Sequence, residues 1–153
     1  MPDLLTHLAS ARLPAAFPRT PQVRAALLLG CLLPDLASKP LYGLAHAPSD
    51  YLEPFHSLAG LLVLCYAVSL FFPRPLREKT FAALYGGSLL HVALDLIKDN
   101  LGVGSASLFY PFSTRGYELG WIDPEDVILL IPAALALLAL TLGVEWRLRR
   151  VRQ

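Results

Sequence analysis

Apolar residues gather into four long blocks, at about 21–36, 57–72, 80–97 and 127–144, separated by short polar links. A membrane-spanning helix needs about 20 apolar residues, within a range of about 17–25. The third and fourth blocks meet that length. The first two are short, which fits tilted helices, a locally thinned bilayer, or helices completed by polar ends. A further apolar stretch, Asp3-Leu-Leu-Thr-His-Leu-Ala-Ser-Ala, predicts a short N-terminal helix. Pro14, Pro18, Pro21, Pro40, Pro48 and Pro54 fall in the links, where proline punctuates helix ends. The pattern predicts an all-α, integral membrane helical bundle with about four spans plus the short N-terminal helix, residues 1–153 forming a single membrane-embedded domain.

Local signals sharpen the last block. Asp123 is placed to cap it, Pro124 suits its first position, and Glu125 and Asp126 complement the positive end of the helix dipole. Pro132 predicts a kink. The block runs out into Trp146, Arg147, Arg149, Arg150 and Arg152, an interfacial aromatic followed by a basic anchor.

Composition agrees with a membrane class. The chain is 55% hydrophobic and 16% charged, with mean hydropathy +0.51, against about 45–50% and about 25% in soluble domains. A net charge of +1 and the lack of a nucleic-acid motif give no reason to expect a nucleic-acid partner. Cys31 and Cys65 lie in apolar runs without a C-x-x-C partner, which predicts core packing rather than a disulfide framework. The first apolar run is short, contains His7 and is followed by Arg12, so no cleavable signal peptide is expected. Nothing in the sequence fixes an oligomeric state.

Arg12, Arg19 and Arg24 precede block one, Arg74, Arg77 and Lys79 link blocks two and three, and a run of arginines follows block four. The positive-inside rule puts all three regions, hence both termini, in the cytoplasm of an inner (plasma) membrane protein. Four passes satisfy this, with the 34–56 and 98–125 loops outside.

Against that apolar background His91 and Asp95 stand out. Four residues apart, they share one face of a helix. An imidazole and a carboxylate in apolar surroundings are costly unless paired, protonated or bound to a cation. Asp35, at the end of block one, and His56, at the start of block two, fall on the same outer side. His7 reaches them only if its helix re-enters the membrane among other helices. We read His7, Asp35, His56, His91 and Asp95 as one metal site. Imidazole and carboxylate donors suit zinc best, as one or two ions, with manganese or iron as further fits. A two-metal site with an open position hydrolyses phosphoesters well. The plainer readings are a buried His91–Asp95 hydrogen bond and a Pro34-Asp35 pair that ends one element and caps the next.

Asp35, Asp95 or Glu53 would act as base. Lys98, on the face of Asp95, and Arg115, after the Pro-Phe-Ser turn, are candidate contacts to an anionic head group; the plainer roles are snorkelling and a solvated loop. His46 and Asp50 read as surface residues of a proline-rich loop.

The motifs Thr6-His7, Gly30-Cys-Leu-Leu-Pro-Asp35, Phe55-His56-Ser57-Leu58, Ser88-Leu-Leu-His91-Val-Ala-Leu-Asp95 and Leu108-Phe-Tyr-Pro-Phe-Ser113 occur in that order. This resembles the small bacterial membrane-bound metal-dependent hydrolase family of inner-membrane proteins, and is distantly similar to zinc-dependent phospholipase C. The resemblance covers roughly residues 5–113. It implies a metal centre on the His, Pro-Asp, His and His-x-x-x-Asp residues. The chain departs from the family in Tyr51-Leu-Glu-Pro-Phe-His56, where Glu53 stands in what is often a basic, glycine-containing stretch.

The expected function is a membrane-bound metal-dependent hydrolase acting on a phosphoester, lipid-linked because such a site is reached along the bilayer. Two other classes compete: a non-catalytic membrane protein with a structural metal, and a small proton or cation transporter. A closed ligand set marks the first. Polar residues continuing across the membrane mark the second, and the inner halves of blocks two and four are apolar.

Overall fold

The structure is a computed structural model that describes residues 4–17, 20–45, 53–97, 107–123, 126 and 130–151. Five α-helices make up the described fold: α1 Leu4–Ala15, α2 Pro21–Ala45, α3 Leu58–Ser69, α4 Arg74–Leu96 and α5 Leu130–Val151, with a 3-10 turn at Glu53–His56 before α3. The all-helical expectation holds.

The α2–α4 pair forms the centre. Glycines allow it: a Cβ at Gly30 would fall 2.1 Å from the Leu84 carbonyl oxygen, and one at Gly87 2.2 Å from that of Leu27. The two backbones therefore touch. Around this crossing Ala26, Leu33, Cys65, Ala83 and Leu84 form the buried core. α3 packs on α4, and α1 packs between α2 and α5. Cys31 and Cys65 are buried free thiols, as expected of core cysteines.

Pro40 lies inside α2 and Pro14 inside α1, rather than in links, and Pro34 also lies within α2. The Pro34-Asp35 pair therefore does not end a helix, and α2 runs nine residues past the expected limit at 36. The physical reason is tertiary. Pro34 has no N–H for the Gly30 carbonyl one turn back, but Ser88 Oγ of α4 donates to that oxygen at 2.8 Å. Ser88 has one hydrogen to give, so in its 3.4 Å contact with Cys65 the thiol is the donor.

Length separates the helices. α3 has 12 residues, about 18 Å at the helical rise, against a hydrocarbon core of about 30 Å. α4 opens with Arg74, Arg77, Glu78 and Lys79. Among the described residues, one helix is long and apolar enough to cross a membrane by itself: α5, through its window Leu130–Arg147. Leu135, Leu140 and Leu142 of α5 and Leu62, Val63 and Tyr66 of α3 point outward, an exposed apolar surface that suits acyl chains rather than water. At the far end of α5 the Arg150 guanidinium lies 3.7 Å over the Trp146 ring.

The expected start of the last helix, at 123–126, borders residues 124, 125 and 127–129, which lie outside the described residues. The Asp123 carbonyl accepts the Asp126 N–H at 3.0 Å, and the described part of α5 is Leu130–Val151. Pro124, Glu125 and Arg152 lie outside the described residues, as do His46, Asp50 and Lys98.

Helix directions fix the ends of the bundle. Arg24 donates to the Ala16 carbonyl at 2.7 Å, and Cys31 Sγ to the His7 carbonyl at 3.3 Å. α1 thus runs antiparallel to α2. Arg12, near the end of α1, pairs with Glu145 near the end of α5 at 3.5 Å. The start of α2, the end of α1 and the end of α5 therefore share one end of the bundle.

A candidate metal centre

The second half of α4 brings His91 and Asp95 to one face, where Asp95 Oδ2 lies 3.0 Å from His91 Nε2. The other ring nitrogen, Nδ1, lies 2.8 Å from the Cys31 carbonyl oxygen of α2. A carbonyl only accepts, so Nδ1 carries the proton. In the neutral ring Nε2 then presents a lone pair, and it is buried without a hydrogen-bond partner.

α2 supplies Asp35, one turn beyond Cys31. Its Oδ1 lies 3.9 Å from His91 Nε2 and 4.0 Å from His56 Nε2. His56 is delivered by the turn ahead of α3, which several local contacts hold. Ser57 caps α3, its Oγ accepting the Gly60 N–H at 3.0 Å. The α3 Leu58 N–H is taken by the Leu108 carbonyl at 2.9 Å, so the Leu108–Ser113 stretch serves to hold this corner. Gly60 is needed there, since a Cβ would sit 1.9 Å from the Pro54 carbonyl oxygen.

α1 brings in His7. The ring stacks on that of His91, with centroids 4.1 Å apart and planes 19° apart, and Nε2 lies 3.5 Å from Asp95 Oδ1. His7 is fully buried, and neither of its ring nitrogens makes a hydrogen bond. The sequence left open whether His7 could reach the other four; the antiparallel α1–α2 packing brings it there. Asp95 thus turns one oxygen to His7 and the other to His91, and Asp35 turns one to His91 and His56.

All five expected ligands lie together. Two tighter groups share His91: His7, Cys31 and His91, and Asp35, His56 and His91, each with donor atoms within 4.8 Å of one another. Separations of 3.0–4.0 Å among the nitrogens and oxygens bracket the roughly 3.3 Å between ligands held about 2.05 Å from a tetrahedral zinc. Two lone pairs facing each other across 3.0 Å at Asp95 and His91 repel unless a proton or a cation stands between them. A proton on Nε2 would make this an imidazolium–carboxylate pair; the donor types and spacings also fit a divalent metal, with Nδ1–H of His91 held by a backbone carbonyl as is usual for metal-binding histidines.

Other expected residues stay outside. Glu53 opens the 3-10 turn half-exposed, and no hydrogen bond or ion pair among those found for the described residues joins it to the cluster. Arg115 is exposed, its guanidinium 5.8 Å over the Tyr117 ring. Sequence reasoning missed Lys39, whose ammonium is hydrogen-bonded to Asp35 Oδ2. Its i,i+4 spacing from Asp35 was the signal, hidden by reading Pro34-Asp35 as the end of a helix. It also missed Cys31, which borders the site through its carbonyl and its thiol.

No curated protein and no solved structure matches the chain. The YdjM inner membrane protein family matches it over residues 3–151, and the chain, with its buried histidine–aspartate cluster, belongs to that family of inner-membrane proteins.

Proposed function

We propose that His7, Asp35, His56, His91 and Asp95 hold one divalent metal ion, zinc by donor type, and that the protein is a membrane-embedded metal-dependent hydrolase of a lipid-linked phosphoester. The observation that carries the reading is His91. Its Nδ1 is committed to the Cys31 carbonyl, and its buried Nε2 faces oxygens of Asp95 and Asp35 with no hydrogen bond of its own. That single lone pair can serve one metal, which favours one ion over the two the sequence allowed. Zinc in such a site would supply an acidified water and charge stabilisation for a phosphoryl oxygen.

The protein's own groups do the rest. Asp95 presents one oxygen toward His7 and the other toward His91, so a metal between them would draw the three groups together. Asp35, close to both His91 and His56, is the better placed proton acceptor; Glu53 is the weaker choice because it does not join the cluster. The lipid character of the substrate rests on membership of an inner-membrane family and on the outward apolar faces of α3 and α5.

In our reading α2, α3, α4 and α5 cross the membrane, α3 with the help of its flanking turns. Arg24, the Arg74–Lys79 cluster and the Arg147–Arg150 end then face the cytoplasm, and the metal site faces outward. α1 starts at the level of the site and ends with Arg12 near the basic side. The described start of α1 thus lies inside the bundle at the level of the site, which is allowed where protein covers it.

Metal analysis of the purified protein tests the centre. Wild type is expected to carry about one zinc per chain, and His91→Ala and Asp95→Ala to lose it. Equal metal in all three, or none in wild type, overturns the reading. The metal-loaded protein then hydrolyses a member of a lipid phosphoester panel, and Asp35→Asn does not.

A further inference from the structure

Asp35 has two oxygens with different company. Oδ1 faces the imidazoles of His56 and His91, while Oδ2 accepts the Lys39 ammonium. Asp35 is largely buried, with its side chain 14% exposed, whereas that of Lys39 is 37% exposed. Lys39 therefore stands at the rim of the cluster, one helical turn outward along α2.

A fixed positive charge there does not help a divalent cation bind, because like charges repel. Nor does it belong to the basic groups of Arg24, Arg74, Arg77 and Lys79, which lie toward the starts of α2 and α4. A flexible ammonium with three donors beside a metal centre suits an anion that touches the metal on one side and the lysine on the other.

Resting on the metal reading above, we infer that Lys39 is the anion-contact residue of this site, its ammonium turning from Asp35 Oδ2 to a non-bridging oxygen of a phosphoryl group. Lys39 thus takes the role that the sequence offered to Lys98 or Arg115. The shared chemistry is a phosphate oxygen, carried either by a lipid head group or by free phosphate.

The test uses the full chain in detergent, zinc-loaded, as wild type, Lys39→Met and Lys39→Arg. Bound zinc is measured first, then binding of inorganic phosphate and of short-chain phosphatidate micelles. Lys39→Met is expected to keep its zinc and to bind phosphate about tenfold or more weakly, the size of a lost charge-assisted hydrogen bond. Lys39→Arg is expected to stay within about threefold of wild type. A lysine effect on phosphatidate but not on inorganic phosphate identifies the head group as the source; an equal effect on both identifies the phosphate alone. Lys39→Met with wild-type affinity for both probes overturns the inference. So does Lys39→Met that has lost its zinc, since Lys39 then acts only through Asp35. Wild type without zinc removes the metal reading instead, a separately recognisable failure.

Discussion

At the scale of single residues, the site depends on a proline. Pro34 leaves the Gly30 carbonyl without its helical donor, and Ser88 fills the gap. One residue on, the Cys31 carbonyl takes the proton of His91. Ser88→Ala leaves a buried carbonyl unsatisfied, at a cost of about 1–3 kcal/mol, to be read from denaturation in detergent. Adding Pro34→Ala is expected to recover much of that loss, because an alanine at this position supplies the N–H that the Gly30 carbonyl otherwise lacks. A double variant no more stable than Ser88→Ala would exclude this account. These partners explain what the sequence could and could not disclose. His7, Asp35, His56, His91 and Asp95 were legible because polar groups in apolar blocks need a reason to be there. Lys39 was not, because continuation of α2 through Pro34 depends on a hydroxyl 54 positions away. The backbone carbonyl of Cys31 leaves no trace in side-chain identity at all.

Among elements, the crossing of α2 and α4 sets the distance between Cys31 and His91. Gly30→Ala and Gly87→Ala each drive a methyl into the facing backbone, so the helices must separate and His91 must leave its carbonyl. Both variants are expected to unfold more readily and to lose metal. Gly86 is the control: it is exposed, nothing lies within 4 Å of its would-be Cβ, and Gly86→Ala is expected to be neutral or to stabilise the helix by up to about 1 kcal/mol. Thermal stability and bound zinc report both effects. The existence of the helices followed from block length, while the close crossing did not, since a glycine in an apolar block reads the same whether it meets a backbone or nothing.

For the whole molecule, α1 is held from both sides, by α2 and by α5. The Arg12–Glu145 pair is its polar tie to α5. Glu145→Ala removes the ion pair with Arg12 and loosens the helix that carries His7. Zinc affinity is expected to fall, by less than in His7→Ala, which removes a ligand outright. Competition with a chelator measures both, and a loss in Glu145→Ala as large as in His7→Ala would mean that α1 is not merely positioned by this contact. The number of membrane passes was the part of the fold least readable from the chain. Block length alone sufficed for α5, but not for α3, whose 12 residues fall short of the bilayer by themselves.

The docking of α1 also sets an order of events during synthesis. His7 is made well before its partners His91 and Asp95, which emerge more than eighty residues later, and α5, the helix that braces it, emerges later still. A complete ligand set therefore cannot exist on a nascent chain until α4 is out. On the metal reading proposed above, the ion would be acquired late, after α4 has been made, and a chain cut short before α5 would leave His7 unbraced.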